Sequence, residues 1–170
     1  VGRRVDVDET LPRAGLPAAV LNDLYAHARE TAPEECCGLV LGDDAERFGR
    51  VVRCRNELTR LHTEDAREYP RDGRSGFVMN PRDYTAAAEQ ARQMGVRVTA
   101  VYHSHVDAPE GGGVYLSELD LDYALQQGFP FPDAAHLVIA VCEHQVTGAG
   151  LFERHGAGAP FRGRLVEAVG

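Results

Sequence analysis

The segment Val96 to Tyr102 (VRVTAVY) ends in His103-Ser104-His105, and this junction constrains the chain more than any other. The run is apolar and β-branched with turn signals on either side, the signature of a buried strand. Side chains alternate between faces along a strand. His103 and His105 therefore point the same way, about 6.6 Å apart at the backbone, which lets two imidazoles converge on one metal ion. A polar stretch leads to Ser117-Glu118-Leu119-Asp120, which opens a helix with Ser117 as N-cap and Asp120 at N3. A carboxylate in that first turn can swing back toward the strand end. Two histidines and one aspartate make a three-ligand zinc site with an open fourth position, the arrangement of catalytic zinc. Each piece alone has a plainer reading: a histidine at a strand end is a polar terminus, and Ser-x-x-Asp is a helix cap. Their order and spacing favour metal.

Upstream lies Glu34-Glu35-Cys36-Cys37-Gly38-Leu39-Val40-Leu41-Gly42. Glu-x-Cys-Gly-Leu-x-x-Gly, followed by His-Ser-His and Ser-x-x-Asp, resembles the JAMM (MPN+) zinc metalloproteases, and the small bacterial members most. The resemblance spans about Leu16 to Phe152. It implies an α/β fold with a central mixed β-sheet flanked by helices, layered as in cytidine deaminases. It also implies the roles: His103, His105 and Asp120 hold Zn²⁺, Glu35 activates the water, and Ser117 helps hold the oxyanion. Glu34 is the rival for the base, and Asp107 and Asp122 are rivals to Asp120. Asp122 lies about 200° around the helix from Asp120 and should face away. The interval Val106 to Leu116, with Gly111-Gly112-Gly113, is longer than the family's usual one. Val106 and Leu116 stand where prolines are common, and the interval is expected to form a mobile gate over the site.

Peptide or isopeptide hydrolysis without a covalent intermediate follows from that ligand set. By resemblance to small bacterial proteins, the expected partner is a ubiquitin-like sulfur-carrier protein, or another peptide, cut after a Gly-Gly tail. Relatives lacking the motif serve as metal-free interaction scaffolds, which is the alternative. A deaminase would need Pro-Cys-x-x-Cys, and the chain has none. It has no Gly-x-Ser-x-Gly elbow or phosphate-binding loop either.

The chain has 170 residues, 44% of them apolar, and reads as one globular domain, 1–170. A net charge of −8 with no arginine stripe argues against nucleic acid. No apolar run approaches the ~18 residues of a membrane span, and the N-terminal stretch lacks the apolar core of a signal peptide. Cys36, Cys37, Cys54 and Cys142 read as buried thiols of a reduced, cytoplasmic protein. Nothing defines an oligomeric state.

Along the chain, the patterns predict a helix over Leu16–Thr31 and strands over 37–41 and 48–56. Arg60 to Gly76 reads as a long polar loop that could help seat a substrate. A short strand at 77–79 is followed by a helix from Asn80 (N-cap) to Gly95 (C′). The site strand, a helix over 117–127, and strands at 136–142 and 148–153 come next. Arg162–Val169 fits strand or helix. His27, His62, His136, His144 and His155 stand without ligand-spaced partners and read as structural or solvated.

Overall fold

A computed structural model describes residues 3–106 and 112–170. Two sheets form. A small antiparallel pair joins β1 (Val5–Asp6) to β6 (Tyr115–Leu116), with Val5 opposite Leu116. The main sheet has seven strands: β2 (Ala14–Pro17), β3 (Cys37–Gly42), β4 (Arg50–Cys54), β5 (Arg97–His105), β7 (Ala135–Cys142), β8 (Gln145–Glu153) and β9 (Arg162–Val169). Their spatial order is β2-β9-β8-β7-β5-β3-β4. β5–β7 and β2–β9 run parallel and the other neighbours antiparallel, so the sheet is mixed.

The period-two alternation sorts the core into two layers. On one face, Val40, Ala100, Tyr102, Leu137, Ile139 and Leu151 pack against Val20, Leu21, Leu24 and Ala28 of α1 (Ala18–Thr31). On the other, Cys37, Leu39 and Val101 meet Ala87 of α3 (Pro81–Met94), while Val138 and Phe152 meet Leu121 of α4 (Glu118–Leu125). Helices thus cover both faces, as the fold class requires. His103 and His105 share parity with Val101, so both stand on the α3/α4 face. Ser104 points to the α1 face and is fully buried.

β5 runs through His105, so both histidines are strand residues rather than residues beyond its end. Near its start, Val40 pairs Ala100 but Leu41 pairs Val98, which leaves Thr99 as the extra residue of a β-bulge. The Thr99 hydroxyl donates to the Arg47 carbonyl at 2.5 Å and lies 3.2 Å from the Val40 carbonyl. Two motif glycines have steric reasons. A Cβ on Gly38 would come within 2.5 Å of the Tyr102 hydroxyl and of the Val52 carbonyl oxygen, and one on Gly42 would strike the Glu46 and Arg47 carbonyls.

Several boundaries differ from the sequence reading. The first helix starts at Ala18, not Leu16. Leu16 is buried in β2, paired to β9, and Pro17 is the N-cap. The polar stretch after Asn56 is not all loop, since Leu58–Glu64 forms α2. Only Leu58 of this helix is buried, so it carries no apolar stripe to reveal it. Residues 77–79 form no strand: Met79 makes a lone bridge to Asn56, and the Asn56 side chain accepts the Val78 N–H at 3.1 Å. α4 stops at Leu125, short of 127. Arg162–Val169 resolves as strand, supplying β8 with a partner and burying Val166. Asn80 caps α3 by accepting from the Arg82 and Asp83 N–H groups, and Gly95 closes it in the left-handed conformation, as predicted. No helix among the described residues is long and apolar enough to cross a membrane.

Candidate metal centre

Three elements meet at the C-terminal end of β5. The strand delivers the two imidazoles. β6, anchored by β1, delivers Ser117, and α4 delivers Asp120 one turn later. Ser117 and Asp120 form a complete capping box: Ser117 Oγ accepts the Asp120 N–H at 3.0 Å, and Asp120 Oδ2 accepts the Ser117 N–H at 2.9 Å. The box fixes the Asp120 carboxylate facing the histidines. Nε2 of His103 and Nε2 of His105 face each other at 3.1 Å. Asp120 Oδ1 lies 3.2 Å from His103 Nε2, and Asp120 Oδ2 lies 3.2 Å from His105 Nε2.

These edges fit a metal. Tetrahedral zinc with bonds of about 2.0–2.1 Å places its ligand atoms roughly 3.3 Å apart. The His105 ring is held from behind, its Nδ1 lying 2.8 Å from the Gly113 carbonyl. That contact makes Nδ1 the protonated nitrogen and leaves Nε2 for a metal, the usual support of a ligating histidine. His103 stacks on Phe77 with ring centroids 4.8 Å apart.

Glu35 stands two residues before Cys37, which is paired to His103. The ladder continues past that pair, because Ser104 N–H donates to the Cys36 carbonyl at 3.1 Å and Cys36 N–H donates to Ser104 Oγ at 2.8 Å. Ser104 is therefore a back-face brace for the strand that carries Glu35, with no nucleophile role. Parity puts Glu35 on the face of Cys37 and His103. It is 6% exposed and lines a cavity of about 450 Å³ together with His105, Ser117 and Asp120. Glu34 turns the other way and accepts from the Thr59 hydroxyl of α2.

Electrostatics separate the two carboxylates. Burial pushes the Glu35 carboxyl up to about 8, with Asp120 reinforcing and His103 and Arg71 opposing. Burial also resists the charge on Asp120, but the two histidines outweigh it and hold that carboxyl far below the usual range. For His103, burial disfavours the proton and the Asp120 charge more than compensates, so its pKa is raised. The arrangement is an ionised carboxylate among imidazoles beside a carboxyl that holds its proton tightly.

Of the three rivals, the two described ones, Glu34 and Asp122, turn away from the site. Asp122 faces outward and pairs with Arg3 at 2.5 Å. Asp107 lies outside the described residues, as do residues 107–111 of the expected gate, whose far end is tied into β6. His136 is buried on Phe129 and lowered to about 4 by burial, hence neutral. His27 bonds the Tyr102 hydroxyl at 2.7 Å, and His62 Nδ1 lies 2.6 Å from the Tyr69 carbonyl. Burial pushes the Cys36 and Cys54 thiols up to about 12, which leaves them unreactive. Sequence reasoning did not find the cavity's aromatic wall, Phe77, Tyr115 and Tyr123. No spacing rule marks residues that meet only through tertiary packing.

The fold and the site define a small α/β protein with a His-His-Asp group able to hold a metal ion. The chain belongs to the prokaryotic homologs of the JAB domain, whose signature matches residues 17–152. Among solved structures it is similar to protein DSY2949 from Desulfitobacterium hafniense, at 22% identity and TM-score 0.56, covering 92% of this chain and 91% of that one. A protein from Salinibacter ruber is similar at 22% identity and TM-score 0.56, with 91% of each chain covered. These likenesses are of fold. No curated protein matches the chain.

Proposed function

We propose that this protein is a zinc-dependent peptidase or isopeptidase. The observation that carries the reading is the convergence of His103 Nε2, His105 Nε2 and the Asp120 carboxylate, each imidazole 3.2 Å from one carboxylate oxygen and 3.1 Å from the other imidazole, beside the buried Glu35. When bound there, zinc supplies Lewis-acid polarisation of the scissile carbonyl and acidifies water. Glu35 takes the proton from the attacking water and returns it to the leaving amine. Its raised basicity suits that work, and positive charge at the ligand triangle brings its pKa back toward neutrality, where a general base is most effective. Ser117 Oγ already accepts the Asp120 N–H. Its own proton is therefore free to stabilise the oxyanion. Glu34 and Ser104 take no part, and no covalent intermediate forms.

The substrate in this reading is the Gly-Gly tail of a small ubiquitin-like sulfur-carrier protein in the cytoplasm. A tail without side chains passes most easily between Phe77, Tyr115 and Tyr123 to reach the ligand triangle. The test is to incubate the zinc-loaded protein with carriers extended beyond Gly-Gly, and with matched carriers ending in bulkier residues, and to read the masses. Trimming directly after Gly-Gly is expected. Glu35→Gln should retain zinc and lose about 10²–10⁴ in rate. Efficient cutting of unrelated peptides with no carrier trimmed would refute the carrier assignment and leave the hydrolase.

A further inference from the structure

The cavity wall opposite the ligand triangle is built from the stretch after α2, and two arginines of that stretch, Arg71 and Arg74, line the cavity. Both are exposed at its mouth. Neither side chain pairs with a carboxylate among the described residues, so both guanidinium groups face the cavity mouth without a counter-charge. Arg71 Nε donates to Ser75 Oγ at 3.3 Å, and Arg71 Nη2 lies 3.8 Å from where a Gly76 Cβ would stand. Its guanidinium thus folds over the segment leading to Phe77, the residue stacked on His103. Glu68, the acid on this wall, forms no ion pair among the described residues.

The backbone ties this wall to Glu35, and the proposed reaction then gives it a side of the scissile bond. Glu35 N–H donates to the Gly73 carbonyl at 2.7 Å, so Glu35 is strapped to one of the two residues between the arginines. In the proposed reaction Glu35 hands its proton to the leaving nitrogen, so the leaving segment begins beside Glu35. The oxyanion is stabilised on the other side, at Ser117. The leaving segment must therefore run along the wall that carries Arg71 and Arg74. A cavity of about 450 Å³ holds only the few residues around the scissile bond.

We propose that Arg71 and Arg74 bind a carboxylate of the leaving segment, so that the site favours release of a short C-terminal extension over release of a conjugated lysine. This inference rests on the proposed hydrolytic reading for its direction along the substrate. Two carboxylates could serve: the free C-terminus of the extension, or an acidic side chain within it. Guanidinium is suited to either through paired N–H donors.

The test measures binding without turnover. Fluorescent peptides ending Gly-Gly-Ala are made as free acids and as carboxamides, together with carboxamides ending Gly-Gly-Glu and Gly-Gly-Gln. Anisotropy is read with chelator-treated wild type, with the Arg71→Ala/Arg74→Ala double variant and with the Arg71→Lys/Arg74→Lys variant. Wild type should bind the free acid about tenfold tighter than its amide, as an exposed charge-assisted contact allows. The preference should shrink with added salt, vanish in the alanine variant and survive in part with lysines. A Glu-over-Gln preference without an acid-over-amide preference would assign the side-chain source and overturn the C-terminal one. Equal binding of all four peptides to wild type, no detectable binding of the acids, or a preference unchanged in the alanine variant would each overturn the inference. The zinc-loaded protein is then given the same peptides. Binding preference without cleavage would refute the hydrolase reading while the arginine site stands.

Discussion

Replacing Glu35 with glutamine in the metal-free protein isolates the consequence of burying an acid. The carboxyl is 6% exposed, and burial raises it from 4.5 to about 8. Below pH 4.5 it is protonated in both the folded and unfolded chains, and full stability is present. As pH rises from 4.5 toward 8 the unfolded chain releases the proton and the folded chain keeps it. Stability therefore falls, and levels off once the folded group ionises near 8. Each pKa unit corresponds to 1.36 kcal/mol, so the whole shift amounts to at most about 5 kcal/mol, and water reaching the carboxyl by local opening lowers this to about 2–4. That is a large share of the ~5–15 kcal/mol of a typical domain. Glutamine has the same shape and no such titration. The assay is urea unfolding of chelator-treated wild type and Glu35→Gln at several pH values from 5 to 9. The buried neutral histidines His27 and His136 are common to both proteins and cancel in the comparison. The gap should be under about 1 kcal/mol at pH 5 and widen until the variant is more stable by at least about 2 kcal/mol at pH 9. A constant difference across that range would show that the Glu35 carboxyl is solvated, and the reasoning about its basicity would fail with it.

His103→Ala, His105→Ala and Asp120→Ala should each lose most bound zinc in elemental analysis, since a three-ligand site tolerates little loss; full occupancy in any of them would show that the ligand set is wrong. Ser117→Ala removes the cap of α4 and should lower stability by about 1 kcal/mol in urea unfolding. Ser117→Thr, which keeps a capping hydroxyl, should restore most of it; equal loss in both would mean that the cap bond does not hold the helix. Gly38→Ala sets a Cβ against the Tyr102 hydroxyl and the Val52 carbonyl. It should cost about 1–3 kcal/mol, and an unchanged unfolding midpoint would show that the strands part there at no cost.

The site was legible where one residue's place follows from another's by a fixed period. Strand parity alone put His103 and His105 on one face and Ser104 on the other, and cap chemistry alone put Asp120 in the first turn of α4. Asp122 was turned away by the helical repeat, and it pairs with Arg3. Legibility failed where structure comes from pairing partners remote in the chain. β1 and β6 have two residues each, too few for any pattern, yet their pairing seats Ser117. Leu16 fits the apolar stripe of α1 but belongs to β2, because β9 lies beside it. The polar α2 shows no stripe. Arg71 and Arg74 look like ordinary solvated arginines until the chain has folded them over a cavity.

The Thr99 bulge decides where this sheet can absorb change in chain length. The spacing between acid and imidazoles is set by the count of residues along β3 and β5 from Cys37–His103 outward, a gauge that a one-residue slip would invert by turning every side chain to the opposite face. β5 already carries its surplus residue four positions before His103, at the far end of the ladder, with a hydroxyl tethering the kink to the Arg47 carbonyl. Length variation entering through the α3–β5 junction can be taken up there as a shifted kink while the reactive end keeps step. An insertion between Ala100 and His105 has no such outlet, so the two halves of one strand obey different rules of substitution.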